Sequence, residues 1–425
     1  MTQLPSASNP ENTPAGRGFS ADFWKFLFGQ TVSNVGSSFT LFALPLLVFK
    51  LTGSALNLAL VYAAEYLPYL LFGLLIGAGV DRLDRKRLMV VADVAQALVI
   101  STIPLLAVLG LLSVWWIYAV GFVSSTLWIC FNTAEFAAMP SLVNKEDLVT
   151  ANGRLQASYS AATVAGPLLA GLMVALVPVH AVLLVDALSF LLSALAVGLI
   201  KTSFNADVEE QQKKPAGFRR DVAEGLRYVL GHPVLRNVCV MMALINCVGF
   251  TVYAQLVLFA KERLEASDTQ VGFLYAAGFV GMTVLALAAG PLRRRLSFSK
   301  VMLGTLMVGG LLIVLLASTR WYWLATVLWA LIWGLVILFD INSNSLWQTI
   351  APNRLLGRVQ SVIWVLSWSA IPLGAFIGGV AIEQTQDVAL IYGAIGVTIF
   401  LAALGFSFTA LGHAQRYLPQ EKTQE

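Results

Sequence analysis

Residues 88–112 read LMVVADVAQALVISTIPLLAVLGLL, and residues 301–318 read VMLGTLMVGGLLIVLLAS. Each of these apolar blocks suits a helix that crosses the hydrocarbon core of a bilayer, which takes about 20 residues. The rest of the chain has the same character, because 58% of its 425 residues are hydrophobic and 12% are charged. A soluble globular domain carries about 25% charged residues. The sequence therefore predicts a polytopic membrane protein and argues against a soluble enzyme.

The apolar blocks predict twelve membrane-spanning helices. They are expected at residues 22–49, 55–79, 88–111, 115–138, 157–178, 181–200, 236–260, 270–290, 299–318, 321–341, 358–381 and 388–411. With both termini in the cytoplasm, 23 of the 27 Lys and Arg residues fall in cytoplasmic segments, and the four outside are Lys50, Lys261, Arg263 and Arg320. Cytoplasmic loops of membrane proteins are enriched in Lys and Arg. We therefore expect a multi-pass protein of the cytoplasmic (inner) membrane with both termini inside.

One long polar stretch, residues 201–235, separates two sets of six spans. We predict a disordered cytoplasmic tail at residues 1–21, an N-terminal six-helix bundle at 22–200, a C-terminal six-helix bundle at 236–412 and a second cytoplasmic tail at 413–425. Within the linker, apolar residues recur at helical spacing beside three arginines. This pattern favours either an amphipathic helix on the membrane surface or a solvated linker helix.

An internal repeat is detectable at an offset of 212 residues, half the chain length. The offset pairs Asn34 with Asn246, Asn132 with Asn344, Pro140 with Pro352 and Gly166 with Gly378. Parallel repeats of six spans are typical of one class of transporter, in which the solute site lies near the midplane between two rocking halves. The repeat therefore predicts two pseudo-symmetric halves around a central cavity.

The loop between the second and third predicted spans, residues 77–87, reads GAGVDRLDRKR. It resembles the signature loop of the major facilitator superfamily, Gly-x-x-x-Asp-Arg/Lys-x-Gly-Arg-Arg/Lys, with Asp84 in place of a glycine. The resemblance implies an all-α membrane protein of twelve helices and a conformational latch between its halves. The latch residues would be Gly77, Asp81, Arg82 and Arg85 together with Gly357 and Arg358. Asp81 would face the start of the eleventh span, where the helix dipole favours an anion. The alternative is a loop that only sets the orientation.

Residues 165–171, AGPLLAG, form a second motif within the fifth predicted span. The segment resembles the Gly-Pro-x-x-Gly-Gly element of exporters in this superfamily. Gly166, Pro167 and Gly171 match the element, and Ala170 replaces one glycine. The resemblance implies export, whereas small residues by themselves indicate only that two helices pack closely here.

Shorter segments are similar to the macrolide-efflux and siderophore (enterobactin) exporters of the same superfamily. They include TGSA at 52–55, DALSF at 186–190 and EGLRYV at 224–229. The resemblance implies a multidrug-type efflux antiporter that exports a small drug-like or macrolide-like amphiphile. A carrier of siderophores, lysolipids or other metabolites is the alternative within transport, and a non-transporting sensor or scaffold is the alternative from another class. The arginine that many proton-coupled members carry in the fourth span is absent, since residues 115–138 contain no basic residue.

Glu65 is the carboxylate predicted to lie closest to the midplane, about 13 Å into the second span at about 1.5 Å per residue. An ionisable group at that depth is costly and indicates function. Tyr62 and Tyr69 share its helical face and offer rings to a cationic or aromatic solute. We expect a proton and a cationic solute to compete for this carboxylate. A protonated Glu65, hydrogen-bonded between helices, is the alternative.

Other acids are expected nearer the membrane edges. Asp186 is the second candidate for the solute or proton site, or a packing partner of the fifth span. Three further acids, Asp93, Glu135 and Asp340, are predicted to lie near cytoplasmic ends of their spans. There we expect salt bridges with Arg154, Arg358 or the loop cations.

Polar side chains form stripes on the first and seventh spans. They are Gln30, Asn34, Ser37 and Ser38 on the first, and Asn246 and Tyr253, with Phe250, on the seventh. Lipid does not tolerate such stripes, so they are predicted to face protein or a water-filled cavity. We expect them to line the solute cavity. The alternative is hydrogen bonding between helices without solute contact.

The sequence has no GxxxxGK[ST] phosphate loop, no HExxH segment and no cluster of Cys and His. ATP-driven pumping, metal sites and cofactors are therefore not expected. The energy source would be an ion gradient, most simply protons, or the gradient of the solute itself. The net charge of +4 reflects the loops and implies no nucleic acid. The expected partners are a small-molecule solute, protons and the lipid bilayer, with the chain acting as a monomer.

Overall fold

The computed structural model describes residues 19–80, 83–144, 147–205, 218–352 and 355–417. The N-terminal half contains six helices. They are α1 (Ala21–Thr52), α2 (Ala55–Val80), α3 (Arg85–Val108), α4 (Val114–Leu142), α5 (Leu148–Met173) and α6 (Val179–Gly198). Each corresponds to one predicted span.

The C-terminal half contains another six spans, preceded by a linker helix. The linker helix is α7 (Phe218–Gly231), followed by α8 (Pro233–Ala254), α9 (Leu256–Glu262), α10 (Asp268–Arg295), α11 (Phe298–Ser318), α12 (Tyr322–Ile350), α13 (Leu356–Trp368), α14 (Ala370–Thr385) and α15 (Val388–Ser407). The seventh predicted span is α8 with α9, and the eleventh is α13 with α14. The prediction of an all-helical fold with twelve spans is confirmed.

Eleven spans are long and apolar enough to cross a membrane among the residues that the structure describes. The twelfth is α5, which was predicted at residues 157–178 but runs from Leu148 to Met173. Its first half carries Asn152, Arg154 and Gln156, which lower its hydropathy below that of the other spans. The predicted span begins nine residues after the observed helix start, and the omitted segment includes Asn152 and Gln156, which face a cavity described below.

Local sequence explains two further features. Asp84, which replaces the glycine of the signature loop, is the N-cap of α3, and its side chain accepts a hydrogen bond of 2.9 Å from the backbone N–H of Arg87. The residue that departs from the motif therefore starts the third span. The eleventh span is interrupted at Ser369. Pro372 follows and has no N–H to offer the carbonyl of Trp368, which accounts for the break.

The two halves repeat the same helix packing. In the N-terminal half α1 packs against α5 and α6, α3 against α4 and α6, and α2 against α4. In the C-terminal half α8 packs against α14 and α15, α11 against α12 and α15, and α10 against α12. Glycines at the repeat offset allow the close approaches. A Cβ at Gly166 would lie 2.2 Å from the Cβ of Ser38, and one at Gly378 would lie 2.1 Å from the Oγ1 of Thr251.

The spans alternate in direction, so the start of α1 and the end of α15 lie on one face of the bundle, here called the terminal face. The other side is called the opposite face. The halves contact each other through α5 against α10 and α2 against α14. These contacts leave room for a cavity on the terminal side.

Candidate functional site

A cavity of about 410 Å³ lies inside the N-terminal half. Its lining comes from five helices and is rich in amides and aromatic rings. The residues are Gln30, Ser33, Asn34 and Ser37 of α1, Asp93 and Gln96 of α3, Trp128, Phe131, Asn132, Glu135, Phe136 and Met139 of α4, Asn152, Leu155, Gln156 and Tyr159 of α5, and Phe190 of α6. From helix positions, with about 1.5 Å per residue, the lining extends from about 5 Å to about 24 Å below the helix ends at the terminal face.

The polar stripe of α1 forms one wall of this cavity. Gln30, Asn34 and Ser37 line it, at the spacing of one helical face. The Nε2 of Gln30 donates a hydrogen bond of 3.4 Å to the hydroxyl of Ser193 on α6. Ser38 turns away, and its hydroxyl donates to the carbonyl of Asn34 at 2.8 Å. The structure therefore places Gln30 and Asn34 on a cavity, and Ser38 against its own helix.

Asp93 and Glu135 also line the cavity, from α3 and α4. The expected salt bridge of either acid with Arg154 is not formed. The guanidinium of Arg154 lies over the rings of Phe19 and Trp24, at 4.3 and 5.0 Å from their centroids. Neither acid forms an ion pair with a described residue. The predicted salt bridge with Arg154 is wrong because Asp93 and Glu135 face the polar cavity, whereas Arg154 packs on aromatic rings.

Asp186 is placed outside the cavity lining. It is buried, with 1% of its surface exposed. Its Oδ1 accepts hydrogen bonds of 3.3 Å from Ser37 and from Ser189, and its Oδ2 accepts one from Thr40. Ser37 and Thr40 belong to α1, so the helix that Asp186 ties to α6 is the first span and not the fifth. Each carboxylate oxygen therefore has a partner within the N-terminal half.

Glu65 lies on the side of α2 that faces α4, and its side chain is half-buried. A Cβ at Gly121 would be 3.4 Å from the Cγ of Glu65, and the hydroxyl of Ser125 donates to the Glu65 backbone carbonyl at 2.5 Å. The carboxylate forms no hydrogen bond or ion pair with a described residue. Glu65 is not among the residues that line the cavity.

Aromatic rings of α2 and α8 meet where the two halves touch. Tyr62 packs 5.6 Å from Phe250 and 5.7 Å from Tyr253, and Tyr66 packs 5.3 Å from Phe250, measured between ring centroids. Tyr69 lies farther along α2 and contacts Trp368 of α13 at 6.3 Å. The predicted residues Tyr62, Tyr69 and Tyr253 are thus brought to the plane between the halves.

Asn246 is the repeat partner of Asn34 but has a different environment. Its Nδ2 donates a hydrogen bond of 3.1 Å to the carbonyl of Ser367 on α13. Asn246 does not line the described cavity. In this structure it joins two helices of the C-terminal half.

Polar contacts join the halves at the opposite face. Lys50 at the end of α1 forms a salt bridge with Asp268 at the start of α10. The hydroxyl of Ser54 donates to the carboxylate of Glu383 at 2.9 Å. The Nε2 of Gln255, at the break between α8 and α9, donates to the carbonyl of Ala55 at 2.7 Å. These contacts close the opposite face.

The exporter-like motif takes part in this closure. A Cβ at Gly171 would lie 3.0 Å from the Cα of Gly272 on α10, and a Cβ at Gly272 would lie 2.7 Å from the carbonyl oxygen of Pro167. The backbones of α5 and α10 therefore touch directly. Gly166, on another side of α5, fits against Ser38 of α1. The motif packs α5 against its own half and against the other half.

The predicted latch is described only in part. Asp81 and Arg82 lie outside the described residues, while Gly77 belongs to α2 and Gly357 to α13. Arg85 is buried, and its guanidinium donates to the carbonyls of Ala137 and Phe204 at 3.0 and 3.1 Å. Arg358 forms a salt bridge with Glu224 of the linker helix α7. The contacts of Arg85 lie within the N-terminal half, and the salt bridge of Arg358 joins the C-terminal half to the linker helix.

Sequence reasoning missed several amides of the cavity. Gln96 follows Asp93 by three residues, Asn132 precedes Glu135 by three, and Gln156 follows Asn152 by four. These spacings put each pair on one helical face. The same periodicity that identified the stripe on α1 could have found these walls. Among the described residues there is no group of three or more His, Cys, Asp or Glu side chains that could hold a metal ion.

Residues 19–422 match the family described as transmembrane secretion effector. The chain is 28% identical over 404 residues to the multidrug efflux pump Tap of Mycolicibacterium fortuitum, covering 93% of this chain and 95% of that protein. It is 26% identical over 373 residues to the macrolide efflux protein A of Streptococcus pyogenes, covering 85% of this chain and 90% of that protein.

Solved structures show the same fold. The nucleoside transporter NupG matches with a TM-score of 0.76 and 14% identity, covering 92% of this chain and 99% of that chain. A bacterial homologue of the human lysosomal transporter Spinster, inward-facing and unoccupied, matches with a TM-score of 0.74 and 11% identity, covering 94% of this chain and 98% of that chain. At such identities the likeness concerns the fold alone.

Proposed function

The chain belongs to the transmembrane secretion effector family of the major facilitator superfamily, and it is an efflux transporter and not an enzyme. We propose that it exports a small amphiphilic solute in exchange for protons. The solute is drug-like or macrolide-like, in keeping with the printed names of the relatives. Export proceeds by alternating access, in which the halves rock about the membrane midplane.

The observation that carries this proposal is the combination of a polar cavity on the terminal side with a closed opposite face. The cavity is large enough for a drug-sized solute, since such sites measure about 300–1,000 Å³. The terminal face is assigned to the cytoplasm because 23 of the 27 Lys and Arg residues belong to the segments that the sequence predicts to be cytoplasmic, which connect at this face. The conformation then corresponds to an inward-facing exporter ready to load. The chain acts as a monomer in the inner membrane with both termini inside.

Glu65 is assigned to coupling, next to the plane where the halves meet. Its carboxylate has no described partner, and Tyr62 and Tyr69 lie one helical turn to either side of it. Rocking of the halves changes the contacts of these rings with α8 and α13, and so changes the surroundings of the carboxylate. A proton is then released or taken up as the solute crosses, and Gln30 and Asn34 offer hydrogen bonds to the solute before that step.

The test is flux in proteoliposomes with an imposed pH gradient, using ethidium as an amphiphilic cation. Wild-type protein should accumulate ethidium on the side from which protons leave, and a protonophore should abolish the accumulation. Glu65→Gln mimics a permanently protonated carboxyl and should abolish gradient-driven accumulation while downhill movement persists.

Protein-free vesicles and Gly198→Ala, a change on α6 where a Cβ would meet nothing within 4 Å, are the controls. Absence of protein-dependent flux for ethidium and for a macrolide would favour the sensor or scaffold. Flux that ignores the pH gradient would contradict proton exchange. Accumulation by Glu65→Gln equal to wild type would make Glu65 structural.

A further inference from the structure

Two carboxylates of the N-terminal half line one cavity, and neither forms an ion pair with a residue that the structure describes. Asp93 is 1% exposed, and its Oδ2 has no hydrogen-bond partner. Glu135, half-buried, lines the same cavity from α4. None of the described lining residues is Lys or Arg. A buried carboxylate oxygen without a donor is costly, and in a membrane protein such a group marks a solute or ion pathway.

The surroundings of the acids suit a cation that carries an apolar body. Gln30, Gln96 and Asn132 line the cavity and carry amide oxygens, which are acceptors for an ammonium group. Trp128 and Tyr159 add ring faces, which attract cations and bury apolar surface. Acidic side chains and aromatic rings therefore line one cavity.

The size of the cavity favours an organic cation over a bare metal ion. Ca²⁺ and Mg²⁺ take six to eight oxygen ligands at about 2.0–2.6 Å, which requires a tight cage. A cavity of about 410 Å³ is far larger than such a cage. The described residues also contain no group of three or more metal-ligating side chains. A drug-sized ammonium compound fills the space and places its charge at the acids.

We propose that Asp93 and Glu135 bind the ammonium group of a cationic amphiphilic solute within the cavity of the N-terminal half. This inference deepens the proposed function and rests on it for the direction of transport. The binding of the solute does not depend on that direction. The solute loads from the terminal side into a cavity lined by the N-terminal half, beside the plane where the halves meet, since the lining residue Trp128 packs 6.0 Å from Tyr69, measured between ring centroids.

Binding of a matched pair of fluorescent probes to the purified protein tests the proposal. Dansylcadaverine carries an aromatic ring system and a primary ammonium group, and its N-acetyl derivative has the same body without the charge. Wild-type protein should bind the charged probe more tightly. Asp93→Asn and Glu135→Gln should each weaken the charged probe by about tenfold or more, because each removes a charged hydrogen-bond acceptor, and should leave the neutral probe unchanged.

Asp186→Asn is the matched control, because Asp186 is equally buried in the same half but has hydroxyl partners and lies outside the lining. It should lower thermal stability and preserve the preference for the charged probe. If Asp93→Asn does not fold, Glu135→Gln carries the test, since its side chain is only half-buried.

Three outcomes would overturn the proposal: no wild-type preference for the charged probe, equal losses for both probes in the two variants, or an equal loss of preference in Asp186→Asn. Flux in proteoliposomes separates this proposal from the proposed function. Probe binding as expected without any flux would contradict export alone. Normal gradient-driven flux of dansylcadaverine by both acid variants would contradict the acid pair alone.

Discussion

The two halves share one backbone arrangement but differ in what fills it. At the repeat offset of 212 residues, five polar residues of the N-terminal cavity correspond to Met, Thr or Trp in the C-terminal half, whereas Asn34 and Asn132 correspond to Asn246 and Asn344. Gln30 corresponds to Met242, Asp93 to Thr305, Glu135 to Trp347, Asn152 to Trp364 and Gln156 to Trp368. Trp347 is 1% exposed, and the hydroxyl of Thr305 bonds to a carbonyl of its own helix at 2.8 Å.

This difference separates the requirements of the fold from those of binding. The same helices pack against each other in both halves. Small residues at equivalent positions, such as Gly166 and Gly378, allow these helices to approach closely. Polar lining occurs in the N-terminal half, where α1, α3, α4 and α5 leave space. In the C-terminal half Trp347 is buried at the place of Glu135, whereas Trp364 and Trp368, at the places of Asn152 and Gln156, are 41% and 40% exposed. The halves therefore share their helix packing and differ in the polarity of the residues at equivalent positions.

The largest expected effect concerns Trp347, which fills the C-terminal half where Glu135 faces a cavity in the other. Trp347→Ala should lower the free energy of unfolding by about 3–5 kcal/mol, because it leaves a cavity inside packed helices. Trp128→Ala, at a lining residue that is 41% exposed, should cost much less. Thermal unfolding of the two variants in detergent measures the contrast. Similar losses would mean that both halves are packed alike, and would break the comparison.

The sequence predicts the architecture well because length, hydropathy and charge asymmetry each act over the whole chain. It predicts the walls of the cavity less well. The predicted fifth span begins at residue 157 and leaves out Asn152 and Gln156, because a polar residue of a membrane protein can face water outside the bundle or water in a cavity. Periodicity alone does not distinguish these two environments. Asp186 was weighed as a site because sequence does not show that Ser37 and Thr40 would reach it. Tertiary contacts determine which buried carboxylate has hydrogen-bond donors.

An intermediate effect is expected where the halves touch through backbone. Gly272→Val places a side chain against Pro167 and Gly171, so the opposite face cannot close as it does here. The population should shift away from this conformation, and a change of about 1.4 kcal/mol suffices for a tenfold shift. Spin labels at Leu51 and Thr385, both exposed near the opposite face, should report a longer distance.

Gly198→Ala is the control for that experiment, because its added methyl group would have no neighbouring atom within 4 Å. Its interspin distances and transport should equal those of the wild type. A Gly272→Val protein that folds, keeps the short distance and transports normally would show that the contact between α5 and α10 does not limit the rocking of the halves.

The smallest expected effect concerns the carboxylate of Asp268, which has one partner in each half. Asp268 pairs with Lys50 of the N-terminal half and with Lys261 of its own half. Lys50→Met should weaken closure of the opposite face by no more than about fivefold, since partly exposed ion pairs contribute about 0–1 kcal/mol. Lys261→Met should leave the balance between conformations unchanged, because both of its partners, Asp268 and the carbonyl of Ala266, move with it. The labels at the opposite face measure both variants, and added salt should shrink the Lys50 effect by screening. Equal shifts from the two lysines would mean that Asp268 acts through local stability and not as a link between the halves.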